Sequence, residues 1–476
     1  MPRVEWITPP THTDQTCIVC GNSQDNSIIL TAAHWHTEYD RVEVAQCSHC
    51  QSAFTLNASD MIAPYPSPDK VLEDPNFIYL IYDYLELTSG LVWKIPLLER
   101  LPFHRFSSVL EVGCNVGVTL DYCHTIWGVD VVGVEPSAYG VKGAELLNIP
   151  IVNAYTHEAE ELHDRHFSLI YATEVLEHVP DPLAFLKEMR TYLEPDGILL
   201  ITTPCSSALQ TDIEPGTLYA ALSPGAHYYL PSKEQLQQLA LQAGYKHATI
   251  LLPHPASLIA YLSDRPIRFQ TDPKADSRLA TYYRAKTGKQ TKNDNRVRLG
   301  HMINYYISAT KSKTPFDEKS LAEEIEKALN SQFNCSLDKP LELAERIADT
   351  ETIFDIGKTI PYSLPAYLYH RADHLRMEGV KTGHCYELAA LIAAKGLQTD
   401  YQNLFIYDHI LRRTKKHIHN RPATPGEARQ TTLRLRQMID SIVATVPELN
   451  VKPLSLGLRI KRKLAAMLNR MLLNFK

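Results

Sequence analysis

The sequence predicts an α/β protein: a doubly wound, mainly parallel sheet that follows a small cysteine-rich module and precedes a mainly α-helical domain. Three observations lead to this fold class. Two CxxC pairs lie near the start, strand-like and helix-like runs alternate over residues 107–253, and helical periodicity dominates residues 270–476. Such alternation is typical of a parallel sheet that helices cover on both faces.

Length and composition limit the class of molecule. The chain has 476 residues, 44% hydrophobic and 21% charged, as expected for a globular protein of two or three domains. Its formal net charge of −6 argues against a general nucleic-acid binder. No apolar run reaches the roughly 18 residues of a membrane span, and MPRVEWITPP lacks a signal-peptide core. We therefore expect a cytoplasmic protein.

The first element is the cysteine-rich module. Its four thiols stand in the pairs CIVC and CSHC, at Cys17, Cys20, Cys47 and Cys50. In a reducing compartment such pairs indicate a metal site before a disulfide, and four thiolates suit a tetrahedral structural Zn²⁺. We predict a zinc ribbon over residues 14–55. Residues 56–104 then read as a proline-rich linker and a lead-in helix.

The central element is the sheet. Its predicted strands are residues 108–112, 129–135, 149–153, 167–173, 197–203 and 248–253, and we expect the strand signal to fade after Pro253. Ligands bind such sheets beyond the carboxyl ends of the strands, so the turn EVGCNVG after the first strand is the place for a nucleotide-like ligand. Gly113 and Gly117 let the backbone approach it closely.

The acids beside this turn indicate the charge of the ligand. Glu111 ends the first strand, and Glu135, at the end of the second, can accept hydrogen bonds from two ribose hydroxyls. A dinucleotide fold would have a glycine where Asn115 stands, although asparagine adopts left-handed backbone angles better than most residues. An acid at the turn repels a phosphate and suits a cationic ligand such as S-adenosylmethionine.

Three motifs in order resemble the class I S-adenosylmethionine-dependent methyltransferases: LEVGCNVG, VVGVEPS and the region from FSLIYATEVLEHVPDP to GILLITTP. The resemblance implies a Rossmann-like methyltransferase domain over residues 105–265. It also implies that Glu111, Gly113, Asn115 and Gly117 line the methionine end of the cofactor. By the same resemblance Glu135 holds the ribose, and Asn153, Ala154 and Tyr155 flank the adenine.

Other interpretations of the turn stay open. The glycines could serve only a tight connection between strand and helix. The domain could be a degenerate methyltransferase that binds the cofactor without chemistry. An NAD-dependent oxidoreductase is a third alternative, against which the missing third glycine counts.

A cluster of acids and histidines follows the fourth strand. TEVLEHVPDP carries Glu174, Glu177 and His178, and SPGAHYYL carries His227. On a helical turn Glu174 and Glu177 would share one face. The pattern resembles two metal-assisted O-methyltransferase groups, one acting on the terminal ribose of small RNAs and one in ubiquinone synthesis. That resemblance implies that the four residues are catalytic and hold Mg²⁺, which would lower the pKa of an attacking hydroxyl.

Two alternatives to that metal site stay open. Glu177 and His178 could merely shape the start of the next helix. His178 could instead act as a metal-free general base, because the pKa of histidine lies near neutral pH.

The acceptor is predicted from domain order. A zinc ribbon ahead of such a domain resembles enzymes of sugar and natural-product pathways, including deoxysugar C-methyltransferases, but those usually continue into another α/β domain where this chain turns helical. We therefore expect O-methylation of a small-molecule or saccharide hydroxyl in polysaccharide or natural-product biosynthesis. C-methylation and a non-catalytic assembly protein remain alternatives.

The last segment, LSLGLRIKRKLAAMLNRMLLNFK, predicts a basic amphipathic helix. Such a helix can make peripheral contact with an anionic membrane or pack on a neighbouring domain.

Overall fold

The chain forms two compact units. The computed structural model describes residues 3–34, 41–62, 66–87, 91–213, 215–270, 275–288, 294–399, 404–419 and 427–446. Within them, residues 1–71 and 100–271 belong to the first unit, and residues 72–99 and 272–458 belong to the second. The helical segment that precedes the central sheet in sequence therefore groups with the helices that follow the sheet.

The strands of the described residues all lie in the first unit. In chain order they are β1 (Val4–Thr13), β2 (Asn26–Ala33), β3 (Arg41–Gln46), β4 (Ala53–Thr55), β5 (Ser108–Val112), β6 (Asp130–Val134), β7 (Ile151–Val152), β8 (Phe167–Thr173), β9 (Leu193–Thr203), β10 (Tyr229–Leu230), β11 (His247–His254) and β12 (Ser257–Ser263).

The α-helices of the described residues are, in chain order, α1 (Ala58–Met61), α2 (Pro68–Leu72), α3 (Phe77–Glu86), α4 (Leu91–Leu98), α5 (Val118–Tyr122), α6 (Ala138–Leu147), α7 (Pro182–Thr191), α8 (Pro215–Leu222), α9 (Lys233–Gln242), α10 (Ala275–Lys286), α11 (Asn295–Ser312), α12 (Glu318–Phe333), α13 (Pro340–Ala348), α14 (Ile353–Thr359), α15 (Leu364–Met377), α16 (Cys385–Gln398), α17 (Leu404–His419) and α18 (Glu427–Thr445).

The central sheet has seven strands in the order β11-β12-β9-β8-β5-β6-β7. The strands β5 to β9 run parallel, whereas β12 is antiparallel to both of its neighbours. All seven residues of β8 are buried because helices cover both faces of the sheet. The predicted fold class, a doubly wound methyltransferase-type sheet with a cysteine-rich module before it and helices after it, is confirmed.

The expectation that strands end at Pro253 is wrong. Strand β11 continues to His254, and the chain then reverses into β12, which pairs with β9 and inserts between β9 and β11. Pro253 lies near the end of β11 and Pro255 lies in the turn, so proline here marks a hairpin turn and not the end of the sheet. The antiparallel register shifts between Leu251 and His254, which accommodates the turn.

The cysteine-rich module forms a second sheet in the order β1-β2-β3-β4-β10. Its pairs are antiparallel, and β10, which comes from the methyltransferase-like part of the chain, pairs with β4. The module begins with β1, an edge strand that contains Pro9 and Pro10. The sequence did not predict this strand, because proline is rare in β-strands. Proline is tolerated at an edge because its missing N–H faces no partner strand.

The second unit is a helical bundle that includes α3. Glu86 at the end of α3 is buried and accepts a hydrogen bond from Arg296 Nε of α11 at 2.5 Å. Asn304 Nδ2 of α11 donates to the Glu86 carbonyl at 2.9 Å. These contacts give α3 its place in this unit.

The membrane-related expectations have different outcomes. None of the helices in the described ranges is long and apolar enough to cross a membrane. The predicted amphipathic C-terminal helix lies outside the described residues.

Candidate active site and metal centres

In the turn after β5, every second residue from Gly113 to Gly117 has a positive φ. Gly113, Asn115 and Gly117 have φ values of +65°, +52° and +77°. A Cβ on Gly113 would lie 2.6 Å from Val175 Cγ2, and one on Gly117 would lie 2.6 Å from Ile149 Cδ1. Only glycine combines this backbone with this crowding. Asn115 takes the same left-handed region, as asparagine does more readily than other residues with side chains.

Glu135 supports the turn from the end of β6. Its Oε2 accepts a hydrogen bond from the Asn115 N–H at 2.9 Å, and its Oε1 accepts one from the Ser137 N–H at 3.0 Å. Asn153 Nδ2 donates to the Glu135 carbonyl at 2.7 Å. The carboxylate is therefore fixed in place. Each of its oxygens has a second lone pair for a ligand hydroxyl.

The predicted adenine-flanking segment follows β7. Tyr155 is 44% exposed. Its ring stacks on His157 with centroids 5.8 Å apart and planes inclined by 20°. Ala154 beside it is partly buried. Together with Asn153, these residues follow β7, the strand that pairs with β6. The resemblance to methyltransferases predicts the adenine at this position.

Glu111 has a partner that the sequence did not reveal. Its side chain is fully buried, and its Oε2 accepts a hydrogen bond from the Tyr171 hydroxyl at 2.7 Å. Burial and then the charge of Glu111 raise the pKa of Tyr171 well above its usual range, so the phenol stays a donor. The two residues face each other across the β5–β8 register. Only strand pairing could reveal this contact, because no motif links the two residues.

These residues fit S-adenosylmethionine. The turn EVGCNVG carries an acid and no basic residue. It therefore attracts a cationic ligand and does not attract a phosphate. Because Gly113 and Gly117 lack side chains, the turn packs closely against Val175 and Ile149 and keeps its left-handed backbone. The fixed carboxylate of Glu135 has free lone pairs on the adjacent strand.

At the end of β8, the structure brings together Glu177, His178 and His227. One ligand atom from each lies within 4.8 Å of the others. The two rings contact edge to face with centroids 4.6 Å apart, and His227 Nε2 lies 3.8 Å from Glu177 Oε1. Glu177 Oε2 accepts a hydrogen bond from Thr203 at 2.9 Å, whereas Oε1 is buried without a hydrogen-bond partner among the described residues.

Both histidines have a defined tautomer. Nδ1 of His178 donates to the Ala226 carbonyl at 3.0 Å, and Nδ1 of His227 donates to the Ala221 carbonyl at 2.8 Å. A neutral ring held in this way has its lone pair at Nε2. Burial lowers the pKa of His178, and burial and then His178 lower the pKa of His227 to about 3. Both rings are therefore neutral near pH 7, as metal ligands or proton acceptors must be.

Glu174 lies outside this three-residue cluster. The spacing of Glu174 and Glu177 predicted that they share one face of a helical turn. In the structure Glu174 has a φ of +57°, and the 3₁₀ turn begins at Leu176. Its Oε1 accepts a hydrogen bond from Thr202 at 2.7 Å, and the residue is exposed. Its charge still contributes, after burial, to the raised pKa of Glu177. A side chain with positive φ at a strand end is uncommon and worth testing for function.

The start of the next helix does not depend on this cluster. Asp181 caps α7, its Oδ1 accepting a hydrogen bond from the Ala184 N–H at 2.9 Å, and Pro182 occupies the first turn. This arrangement is sufficient to begin a helix. The buried carboxylate and the two imidazoles therefore have no capping role at α7.

The four cysteines of the first sheet converge. Their sulfurs lie within 4.8 Å of one another, with Cys17 and Cys50 3.8 Å apart and Cys20 and Cys47 3.6 Å apart. A tetrahedron with Zn–S bonds of about 2.3 Å separates its sulfurs by about 3.8 Å. The thiols thus fit Zn²⁺. Proximity raises the pKa of Cys17 and lowers that of Cys50, because one thiol donates a hydrogen bond to the other as a thiolate.

Both CxxC turns have the same backbone. Gly21 and Gln51 follow the second cysteine of each pair and have φ values of +78° and +59°. Their N–H groups donate to the carbonyls of Cys17 and Cys47 at 2.8 and 3.1 Å. Asn22 Nδ2 also donates to Cys47 Sγ at 3.7 Å, which would stabilise a thiolate there.

Comparisons with known proteins indicate a methyltransferase domain in this chain. Residues 92–249 match a protein-family profile described as a methyltransferase domain. Ubiquinone biosynthesis O-methyltransferases of Actinobacillus pleuropneumoniae serotype 5b (strain L20) and Rhodopseudomonas palustris (strain HaA2) are 31% and 33% identical over 105 and 100 residues. Each match covers 20% of this chain, and the chain spans only 44% and 39% of these curated relatives.

A solved structure is similar at lower identity. The plantazolicin methyltransferase BamL, in complex with a triazolic desmethylPZN analogue and SAH, is 13% identical, with a TM-score of 0.33 over 44% of this chain and 97% of that one.

Proposed function

We propose that this chain, which carries a methyltransferase domain over residues 92–249, transfers the methyl group of S-adenosylmethionine to a hydroxyl of a small-molecule or saccharide acceptor. The observation that carries the proposal is the convergence of Glu177, His178 and His227 within 4.8 Å at the end of β8. This strand pairs with β5, whose carboxyl end bears the glycine turn. Donor and acceptor sites would therefore adjoin each other.

The cofactor end is assigned from the turn. Gly113 and Gly117 give the turn the left-handed backbone that would receive the methionine part, with the buried Glu111 beside it. Glu135 accepts hydrogen bonds from the ribose with the lone pairs that the backbone leaves free. Tyr155, partly exposed at the end of β7, provides a flat surface for the adenine. The bound cofactor supplies an electrophilic methyl group on a sulfonium, and in-line placement of the acceptor provides much of the acceleration.

At the acceptor end, Nε2 of the neutral His227 lies 3.8 Å from Glu177 Oε1, which has no hydrogen-bond partner among the described residues, and His178 completes the three-residue cluster. These three ligands suit a divalent cation such as Mg²⁺ or Mn²⁺, which would lower the pKa of an acceptor hydroxyl. Glu174, the fourth residue of the predicted set, is exposed and lies outside the three-residue cluster, and we propose that it contacts the acceptor.

A metal-free variant of this site is a second candidate. The Nδ1–H bond to Ala226 leaves Nε2 of His178 able to take the hydroxyl proton, and its lowered pKa keeps the ring neutral. Both variants give O-methylation. They differ in their response to divalent cations.

The cysteine cluster is proposed to hold a structural Zn²⁺. All four positions of a tetrahedron are filled by Cys17, Cys20, Cys47 and Cys50, so no open position remains for catalysis.

C-methyl transfer and a non-catalytic assembly role are the competing functions. A carbon acceptor would be revealed by label on carbon. An assembly protein would bind cofactor and partners without turnover.

The test is transfer of labelled methyl from S-adenosylmethionine to a panel of sugars, nucleotide sugars and catechols. We expect ether-linked, base-stable O-methyl products with the wild type. His178→Ala and His227→Ala should lower the rate by at least 100-fold, and His247→Ala, an exposed histidine on β11, serves as the control. Dependence on Mg²⁺ or Mn²⁺ separates metal-assisted from metal-free catalysis. Label on carbon, or no transfer by a protein that binds the cofactor, would contradict O-methylation.

A further inference from the structure

The segment that carries His227 is part of the cysteine-rich sheet. Strand β10 pairs antiparallel with β4, with Tyr229 opposite Phe54 and Leu230 opposite Ala53. This segment lies between β9 and α9 of the methyltransferase domain in sequence. The cysteine-rich module therefore supplies the strand that holds one side of the proposed acceptor site.

Thr55, the last residue of β4, makes the contacts closest to the histidine. Its backbone N–H donates to the Tyr228 carbonyl, and its Oγ1 donates to the His227 carbonyl, both at 2.9 Å. Thr55 is only 7% exposed, so water does not readily replace these bonds. Two successive carbonyls at the histidine are thus held by one residue of the other sheet.

The same peptide also contacts the backbone of Glu177, the residue that supplies the carboxylate of the cluster. The Tyr228 N–H donates to the backbone carbonyl of Glu177 at 2.9 Å. Tyr228 is therefore bonded through its N–H to the residue that supplies the cluster's carboxylate and through its carbonyl to Thr55. These bonds form a continuous path from β4 to both Glu177 and His227.

A second set of bonds starts at a cysteine. The Cys50 carbonyl accepts a hydrogen bond from Ser232 Oγ at 2.7 Å, and Ser52 Oγ accepts one from the Ser232 N–H at 3.0 Å. Ser232 also caps α9, its Oγ accepting the Gln235 N–H at 3.1 Å. The backbone of a proposed zinc ligand therefore holds the end of the segment that follows His227.

Close packing fixes the other end of the segment. Gly225 has a φ of +94°, and a Cβ there would lie 2.2 Å from His34 Nε2. His34 ends the β2 region, and its ring bonds to the Met61 carbonyl at 3.0 Å. The cysteine-rich module thus contacts the segment before, at and after His227.

We propose that the cysteine-rich module positions the acceptor site, with Thr55 as the positioning residue for His227, and that Zn²⁺ bound by the four cysteines keeps the Glu177–His178–His227 cluster assembled. Removal of either the Thr55 hydroxyl or the metal releases the backbone of residues 225–232, and the imidazole of His227 loses its orientation toward Glu177. The zinc part of this inference rests on the proposed structural zinc, whereas the Thr55 part rests on hydrogen bonds within the chain.

Thr55→Val removes the hydroxyl at nearly constant volume, and Thr55→Ser should restore the bond. Thr31→Val is the matched control, because the Thr31 hydroxyl on β2 of the same sheet bonds Arg41 and not this segment. In full-length protein selectively labelled at tyrosine and histidine, the hydrogen exchange of the Tyr228 amide and the imidazole resonances of His227 are measured by NMR. Mn²⁺ affinity at the cluster is measured by electron paramagnetic resonance, with His227→Ala to identify the signal.

We expect Thr55→Val to accelerate Tyr228 exchange and weaken Mn²⁺ binding about five- to tenfold, the equivalent of one hydrogen bond. Thr55→Ser and Thr31→Val should behave as wild type, with zinc content equal in all four proteins. Chelation of zinc should accelerate the same exchange by more than tenfold. If Thr55→Val does not fold, Gly225→Ala perturbs the same segment from its other end and should shift the same resonances.

The outcomes separate this inference from the proposed function. Unchanged exchange and unchanged His227 resonances in Thr55→Val and Gly225→Ala would overturn the positioning role, whatever the activity. Failure of the wild type to bind Mn²⁺ would count against the metal-assisted variant of the function, while the exchange readout would still decide the role of Thr55. A folded protein without zinc that retains slow Tyr228 exchange would overturn the zinc part.

Discussion

Nε2 of His227 lies 3.8 Å from Oε1 of Glu177 in the interior of the first unit. This distance is too long for a hydrogen bond, and Oε1 has no hydrogen-bond partner among the described residues. Two ligands with bonds of about 2.1 Å to one cation can be at most about 4.2 Å apart, so a single ion could join these atoms. The metal-assisted form of the proposed acceptor chemistry depends on this relationship.

The buried histidine predicts a pH-dependent stability. The pKa of His227 is about 3 in the folded state against about 6.5 unfolded. The unfolded chain therefore binds more protons between these values, so the stability that His227 contributes is complete above pH 6.5 and is lost as the pH falls toward 3. Between pH 7 and 5, in zinc-replete protein without other divalent cations, wild type should lose about 2 kcal/mol more than His227→Gln.

Denaturant unfolding of both proteins at each pH measures this difference. The raised pKa of Glu177 is common to both proteins and acts in the opposite direction, so it largely cancels in the comparison. Parallel pH profiles for the two proteins would show that His227 is not buried as the structure has it.

The glycine turn predicts separable effects on folding and binding. Gly117→Ala combines a φ of +77° with a Cβ only 2.6 Å from Ile149 Cδ1, whereas Gly128→Ala meets a φ of +69° in open space. Both should lower stability by about 1–2 kcal/mol because of the left-handed backbone. Only Gly117→Ala should weaken S-adenosylhomocysteine binding, by tenfold or more. Thermal melts and calorimetric titration measure the two effects, and equal affinities for the two variants would contradict the cofactor site.

Asn115 offers a sharper comparison with Asn148. Their φ values are +52° and +53°, but Asn148 is the C-cap of α6 and not a residue of the turn. Alanine at either position should cost about 1 kcal/mol, whereas Asn115→Gly should leave stability unchanged or improve it. Cofactor affinity should fall in Asn115→Ala and stay constant in Asn148→Ala. Calorimetry on the three variants measures this, and an undiminished affinity in Asn115→Ala would show that the side chain and its turn geometry do not matter to the ligand.

The cysteine geometry predicts one zinc per chain. Cys20→Ser and Cys50→Ser should each abolish stoichiometric zinc and lower the melting temperature by about 5 °C or more. Cys385→Ser, a thiol of the helical unit, should retain zinc. Elemental analysis of protein purified without chelator measures the stoichiometry. Less than half an equivalent in intact wild type would contradict the assignment.

Most of the fold could be predicted from local sequence patterns. The parallel strands of the central sheet read as apolar runs because both faces are buried, and the four cysteines stood out by spacing. The edge strand β1 was missed because it contains two prolines, and the hairpin strand β12 was missed because Pro253 and Pro255 precede it; prolines are typical of chain breaks. In both cases the partner strand decides the conformation, and a single sequence does not reveal the partner.

Only the site residues that belong to a recognisable motif could be predicted from the sequence. The turn, Glu135 and the two histidines have recognisable motifs, but Tyr171, Thr203 and Thr55 contact the site through strand register and an added strand. For Glu174 the spacing predicted a contact that the structure does not form. Its positive φ interrupts the helical turn that would have placed it beside Glu177. Contacts that join residues far apart in sequence follow from the fold and not from local spacing.

The cofactor site is tested most directly by calorimetric titration of S-adenosylhomocysteine into wild type, Glu135→Ala and the exposed control Glu145→Ala, whose side chain pairs only with Lys142 in the described structure. We predict micromolar binding by the wild type and the control. Glu135→Ala should bind at least tenfold more weakly, a loss of about 1.4 kcal/mol. Absence of binding by folded, zinc-replete wild type, or equal affinity in Glu135→Ala, would contradict the assignment of this turn to S-adenosylmethionine.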